Sequence, residues 1–384
     1  MQAIMRKPLD KSISLPRFDG VLTVVVGLLL AISLVMVFST TFMIDHAGAS
    51  GSAKVLKHGL HIAVGIGVAL VICIIPTTLW QNSATYLLVA GLVLLLLVLI
   101  PGIGLEINGG RRWFGIGGMR LQPSEIMKLI MVIYMADYLT RRRQQLKNFR
   151  LGVFNVVAIV SVVGTLLLLE PDLGTTVVIA LTVFMMMFVS GVRFSHMLLC
   201  VSAAAAAFVS LVLISPYRMQ RVLSFQDPWA DPYGSGFQLS QALIAFGRGE
   251  WFGAGLGQSI QKLSYLPHAS NDFLAAVIAE ELGFAGIALI LVLYAVLLWR
   301  GFDIAARAER LGHDFQARIA HGAAILLSIQ ALINLGVNMG TLPTKGLTLP
   351  LMSYGGSSML TSLALVGLML AVDREIRKPA RRSK

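Results

Sequence analysis

Long apolar runs, each about the length of a bilayer crossing and separated by polar links, organise almost all of this 384-residue chain. A helix needs about 20 apolar residues to cross the hydrocarbon core. Ten runs qualify, at roughly 20–42, 56–76, 83–101, 121–139, 151–170, 172–190, 195–215, 272–299, 319–339 and 356–373. The pattern predicts an all-α polytopic membrane protein of about ten transmembrane helices spanning 20–373, with a cytoplasmic tail at 1–19 and a basic cytoplasmic tail at 374–384. Runs five and six are parted only by Glu170-Pro171-Asp172, the narrowest of the links. Two outside links are long enough to carry function: Gly102 to Arg120, and the large extracytoplasmic loop 216–271 between helices seven and eight. Apolar stretches within that loop, such as Leu239 to Phe246, predict short amphipathic helices lying on the membrane. No repeat of fixed period is visible.

Composition agrees with a chain mostly in lipid. Only 13% of residues are charged, against about 25% in soluble domains. The first run is too long for a signal-peptide core, so despite Ala47-Gly48-Ala49 it reads as an uncleaved signal anchor. Cys73 and Cys200 both fall inside apolar runs, and neither implies a disulfide framework. The net charge of +12 would suit nucleic acid, but its distribution does not. With the N-terminus in the cytoplasm, most of the 31 Lys and Arg residues fall on the inner side: Arg6, Lys7, Lys11 and Arg17, the 141–150 link, Arg193, the 300–318 link and the C-terminal tail. This is the positive-inside pattern. It makes an even number of spans self-consistent, with anionic-lipid contact a secondary role for the tails.

Ionisable residues inside spans are costly and usually mark function. On this topology Glu125, Lys128, Glu170, Asp172 and Asp272 lie toward the outer surface, Asp137 near the cytoplasmic end, and Glu280 and Glu281 near mid-membrane. That asymmetry favours chemistry at the outer leaflet over a polar track across the membrane. Asp272, where the long loop meets span eight, reads equally as a helix N-cap or as a reacting carboxylate. Glu280 lies about 12 Å deeper and roughly 80° around the helix, so it could share a cavity with Asp272. Glu281 points elsewhere, and either carboxylate could instead bond a neighbouring helix. Glu125 and Lys128 form an i,i+3 pair that is either structural or cavity-lining. Glu170-Pro171-Asp172 reads as acids over a helix N-terminus. Lys345, Arg111, Arg112, Arg218, Arg221 and Arg248 are outside cations, solvated or headgroup-bound by default, and Trp113 and Trp251 are interfacial aromatics.

The stretch Thr344 to Ser358 is too rich in Gly, Pro and Ser to face lipid as a helix, because its backbone groups would have no partners there. It must line a protein-walled cavity or a membrane surface. Its Pro350-Leu351-Met352-Ser353-Tyr354-Gly355-Gly356-Ser357 resembles the signature block of the SEDS family, the FtsW, RodA and SpoVE proteins. Asn338-Met339-Gly340-Thr341-Leu342-Pro343-Thr344-Lys345-Gly346 resembles the FtsW branch more than the RodA branch. Further blocks are similar too: Gln122-Pro123-Ser124-Glu125-Ile126-Met127-Lys128, Glu170-Pro171-Asp172-Leu173-Gly174-Thr175, and Asp272-Phe273 with Ala279-Glu280-Glu281-Leu282-Gly283. One departure is Pro267-His268-Ala269-Ser270-Asn271, where FtsW sequences commonly read Pro-Glu-Ala-His-Thr, so no family role passes to His268 or Asn271.

The resemblance implies an inverting peptidoglycan glycosyltransferase that polymerises lipid II at the outer face of the bacterial inner membrane during septal wall synthesis. It implies Asp272 as the catalytic residue, with Glu125 and Lys128 lining the cavity beside it. Glu280, Lys345, Ser353, Arg111 and Arg218 complete the candidate substrate-binding set. No organic cofactor is expected; a divalent cation, Mg2+ or Mn2+, could be held at Asp272 against a diphosphate. Expected partners are lipid II, a class B penicillin-binding protein (an FtsI-type transpeptidase) and other division proteins, with no nucleic acid. A lipid II flippase and a non-catalytic assembly subunit are the alternatives.

Overall fold

A computed structural model describes residues 18–45, 51–107, 109–116, 119–214, 216–263, 265–343 and 346–377. Its long helices coincide with the apolar runs: α1 (Gly20–Asp45), α2 (Gly51–Ile74), α3 (Thr77–Leu99), α4 (Pro123–Arg141), α5 (Phe154–Leu169), α6 (Leu173–Val189) and α7 (Phe194–Ile214). After them come α8 (Pro216–Gln226) and α9 (Phe237–Gly249) in the large loop, then α10 (Leu274–Arg310), α11 (Asp314–Asn338) and α12 (Gly356–Arg377). Among the described residues eight helices are long and apolar enough to cross a membrane, and the chain is a multi-pass membrane protein. The sequence count of ten also includes α6, which has 17 residues, and α4, which carries Glu125, Lys128, Asp137 and Arg141.

Of the eight spans α11 and α12 are the most buried, with α2 packed along α12, α10 along α11, and α4, itself buried along most of its length, against α3 and α11. Their central place explains their polar content, since buried amides and hydroxyls are tolerated in a bundle where neighbouring helices supply partners. At the end of the bundle where α1 starts and α12 finishes, one ion-pair network ties three helices together. Asp19, just before α1, takes Arg300, Arg307 at 3.6 Å and Arg377 at 3.4 Å, and Asp373 takes Arg307 at 3.1 Å and Arg377 at 2.7 Å.

Two features depart from a purely helical reading. The Gly102–Arg120 link forms a small antiparallel sheet of β1 (Leu105–Ile107), β2 (Gly110–Ile116) and β3 (Met119–Leu121), in that order. Gly109, at φ +75°, makes the β1–β2 turn. The second is a break in α10 at Gly283 (φ 66°, ψ −164°). The loop after α9 fills the break: Ala254 and Gly255 donate to the carbonyls of Glu280 and Glu281 at 2.9 and 3.1 Å, while Phe284 and Ala285 donate to Glu250 and Trp251 at 2.9 and 3.1 Å. Backbone groups freed by a broken membrane helix need such partners. No side chain fits at Gly283, where a Cβ would sit 2.4 Å from the Gly253 nitrogen.

Candidate active site

Asp272 lies two residues before α10, at the end of the loop that follows α9. Two segments meet there. Tyr354 N donates to Ser270 O at 2.9 Å, and the Ser353 hydroxyl donates to Asn271 O, so the Ser-Tyr-Gly-Gly block holds the loop just ahead of Asp272. Ser353 also accepts from Leu349 N at 2.8 Å and is buried, so its hydroxyl is committed to the backbone of both segments. From α2, Lys54 donates to Ser270 Oγ at 2.6 Å and lies 5.1 Å over the Tyr354 ring. The Asp272 carboxyl lies against the exposed Gly346, where a methyl would sit 3.1 Å from Oδ2. Burial pushes the carboxyl up to about 6, opposed by the nearby His268, which turns the exposed loop at φ 58°. Asp272 as a residue is half-buried, so water that reaches it moderates the effect.

A polar ladder runs from Asp272 to the acid–base pair of α4. Pro at the first turn starts α4 without losing a needed donor, and places Glu125 and Lys128 on one inward face. Lys128 donates to Glu125 Oε1 at 2.9 Å and to Gln330 Oε1 at 2.6 Å, and is 1% exposed. Gln330 passes on to Thr348 O at 3.0 Å, and Thr348 Oγ1 meets Ser358 Oγ at 2.7 Å. One and two turns further along α11, Asn334 and Asn338 donate to Asp272 O at 2.9 and 3.0 Å. Gln330, Asn334 and Asn338 were absent from the sequence candidates. Their i, i+4, i+8 spacing on an apolar helix was the signal that could have found them.

Other predicted residues take different places. Glu280 does not share a cavity with Asp272, because four donors consume it: Arg248 at 2.9 Å, Ser259 Oγ, Ile260 N at 3.0 Å and Gln261 N at 3.2 Å. Glu281 is bound by Ser39 Oγ at 2.6 Å, Gly257 N at 3.0 Å and Lys262 Nζ at 2.7 Å. Both acids therefore fasten the loop that fills the α10 break. Arg111 is spent on Glu106 at 3.2 Å, its cross-strand neighbour on the exposed hairpin; it is Arg112 that reaches inward, donating to Glu170 O at 2.7 Å. Asp172 caps α6 through Thr175 N at 3.0 Å and accepts from Ser124 Oγ at 3.0 Å. Arg218 lies on α8 with its side chain outside the described residues, and Lys345 lies outside them altogether. Among the described residues no three His, Cys, Asp or Glu side chains converge, so a divalent ion finds no protein-built cage. Asp272 offers one carboxylate, enough for Mg2+ only together with waters and phosphate oxygens.

Known proteins match along almost the whole chain. A protein of Nitrosococcus halophilus named a probable peptidoglycan glycosyltransferase, FtsW, is 52% identical over 329 residues, 85% of each chain. The Legionella pneumophila protein of the same name is 45% identical over 97% of this chain and 94% of its own. Among solved structures, a chain of a peptidoglycan synthase complex that coordinates polymerization and crosslinking superposes with a TM-score of 0.77 at 31% identity, covering 94% of this chain and 99% of that one. The rod shape determining protein RodA of Thermus thermophilus gives 0.66 at 28% identity, covering 94% and 98%. The family model described as cell cycle protein, FtsW/RodA/SpoVE, matches residues 20–378, and this chain belongs to that family.

Proposed function

We propose that this chain is a peptidoglycan glycosyltransferase of the FtsW kind, polymerising lipid II at the outer face of the inner membrane during septal wall synthesis. The observation that carries the reading is Asp272, a half-buried carboxylate at a loop–helix junction, its main-chain carbonyl held by two amide side chains and its Oδ2 left beside a glycine. A sugar hydroxyl becomes a competent nucleophile when a positioned carboxylate takes its proton in the transition state. The GlcNAc 4-hydroxyl oxygen attacks C1 of MurNAc, the proton passes to Asp272, and the C1–O bond to the diphosphate breaks with its electron pair leaving on undecaprenyl pyrophosphate. One base and one face of attack give inversion at C1. The leaving diphosphate needs positive charge rather than an acid. Lys345 and the loop arginines are the cations assigned to that task, with Lys128, 1% exposed and held by Glu125 and Gln330, acting on it only through its charge. Asp272 is the residue that would hold a Mg2+ or Mn2+ ion, which would supply further positive charge.

The reading places both termini in the cytoplasm and the site on the periplasmic side, with a class B penicillin-binding protein and other division proteins as partners. The alternative, a lipid II flippase, would need a path through the cytoplasmic half, where Asp19, Arg300, Arg307, Asp373 and Arg377 clamp α1, α10 and α12 together. The test is purified protein with lipid II in detergent, with and without the partner, read as glycan polymer. Transbilayer movement of labelled lipid II in proteoliposomes is followed in parallel. Polymer in detergent is the expected result; transport without polymer even when the partner is supplied would replace the enzyme with the transporter.

A further inference from the structure

In an ordinary helix start, the Asp272 carbonyl would accept from the amide of Ala276, four residues on. Here the side chain of Asn338 stands between them. Its Nδ2 donates to Asp272 O at 3.0 Å, while its Oδ1 accepts at 3.2 Å from Ala276 N, an amide it shares with Phe273 O at 3.1 Å. Asn334, one turn earlier on α11, adds a second donor to the same carbonyl at 2.9 Å, and its Nδ2 also reaches Leu347 O. Both asparagines are buried, and the bonds to Ala276 N and Leu347 O are closed to solvent, while their common acceptor belongs to the half-buried Asp272.

The consequence is geometric. Asp272 is kept out of the first helical turn, and its main chain is fixed to α11 instead of to α10. Asn334 simultaneously fixes Leu347, whose neighbour Gly346 lies against the Asp272 carboxyl. The same helix carries Gln330, which holds Lys128. One face of α11 thus sets the carboxyl, the glycine beside it and the cation below it in a single frame. A catalytic base must be held within a fraction of an ångström of its working position, and a misplacement of about 1 Å costs on the order of a hundredfold in rate.

We infer that Asn334 and Asn338 are positioning residues for Asp272: the inserted amides aim its carboxyl at the acceptor hydroxyl without touching substrate. The inference rests on Asp272 being the base, and its test separates the two. Asn338→Ala and Asn334→Ala, in the full-length protein with its partner, should lower kcat for polymerisation about tenfold or more each while leaving KM within about twofold. Hydrogen exchange at the amides of 273–276 should quicken in the Asn338 variant, whether or not the preparation polymerises. Wild-type kcat and unchanged exchange in both alanine variants would overturn the inference. So would a loss of kcat accompanied by a raised KM and a lowered melting temperature, which is general destabilisation. Faster exchange at 273–276 with no polymer from the wild type would keep the anchoring role and remove the catalytic one from Asp272.

Discussion

The ammonium of Lys262 lies 2.7 Å from a carboxylate oxygen of Glu281, and neither side chain exposes more than 2% of its surface. The pair joins the loop after α9 to the buried first half of α10, with Ser39 of α1 bonded to both partners. Two charges sealed in this way are stable only together. Lys262→Met should therefore destabilise the protein by about 3–5 kcal/mol, because it strands the Glu281 carboxylate, and Lys262→Met with Glu281→Gln should recover a good part of the loss. Thermal unfolding of the purified variants in detergent checks both; equal stability of Lys262→Met and wild type would mean that the pair is not sealed.

Glu125 and Lys128 should be coupled in the same sense. Among the described residues, Glu125→Ala leaves Lys128 with Gln330 as its one remaining acceptor, and Lys128→Ala leaves Glu125 without an ion-pair partner. Each single change should disable polymerisation, with the double variant less than additive. Strictly additive losses in a double-mutant cycle would assign the two residues separate roles.

Gly346→Ala places a methyl 3.1 Å from Asp272 Oδ2. That is a contact the carboxyl must yield to by a few tenths of an ångström. The expected result is a protein with unchanged melting temperature and kcat reduced about tenfold or more, since the fold does not need the space and the reacting group does. Unchanged turnover would mean that the carboxyl works from another orientation.

Burial raises the Asp272 carboxyl from 3.8 to about 6, and this sets two opposite trends with pH. A base must be ionised, so kcat/KM should rise with pH through an apparent pKa near 6. Stability runs the other way. A group whose folded pKa lies above its unfolded value contributes fully below the unfolded pKa and loses that contribution as pH rises through the folded one. Asp272 should therefore contribute most below pH 3.8 and lose it by about pH 6, and Asp272→Asn should be relatively more stable than wild type at pH 7 than at pH 4. Paired melting curves at the two pH values decide the sign.

Much of the fold was legible because lipid enforces a simple rule: runs of apolar residues become helices, and the helices found here sit on those runs. Asp272 was conspicuous as an acid at a loop–helix junction, and Glu125 and Lys128 as opposite charges three apart. The β hairpin was missed although Asn108-Gly109 is a strong turn signal, because the flanking strands are short and do not alternate cleanly. The α10 break was invisible for a different reason. Gly283 looks like any glycine in a helical run, and its positive φ is imposed by a loop that arrives from thirty residues away in sequence. Glu280 was misplaced by the same oversight, since a helix projection cannot know that a loop will supply four donors to it.

The central claim is most directly tested by Asp272→Asn, a substitution that keeps shape and removes the base. Full-length wild type and variant, each with the proposed transpeptidase partner, are given lipid II in detergent, and the initial rate of glycan formation is measured beside binding of that partner. The account predicts unchanged binding and a rate lower by about 10²–10⁴-fold, the usual contribution of a general base. Polymerisation by Asp272→Asn at a rate near wild type would contradict it.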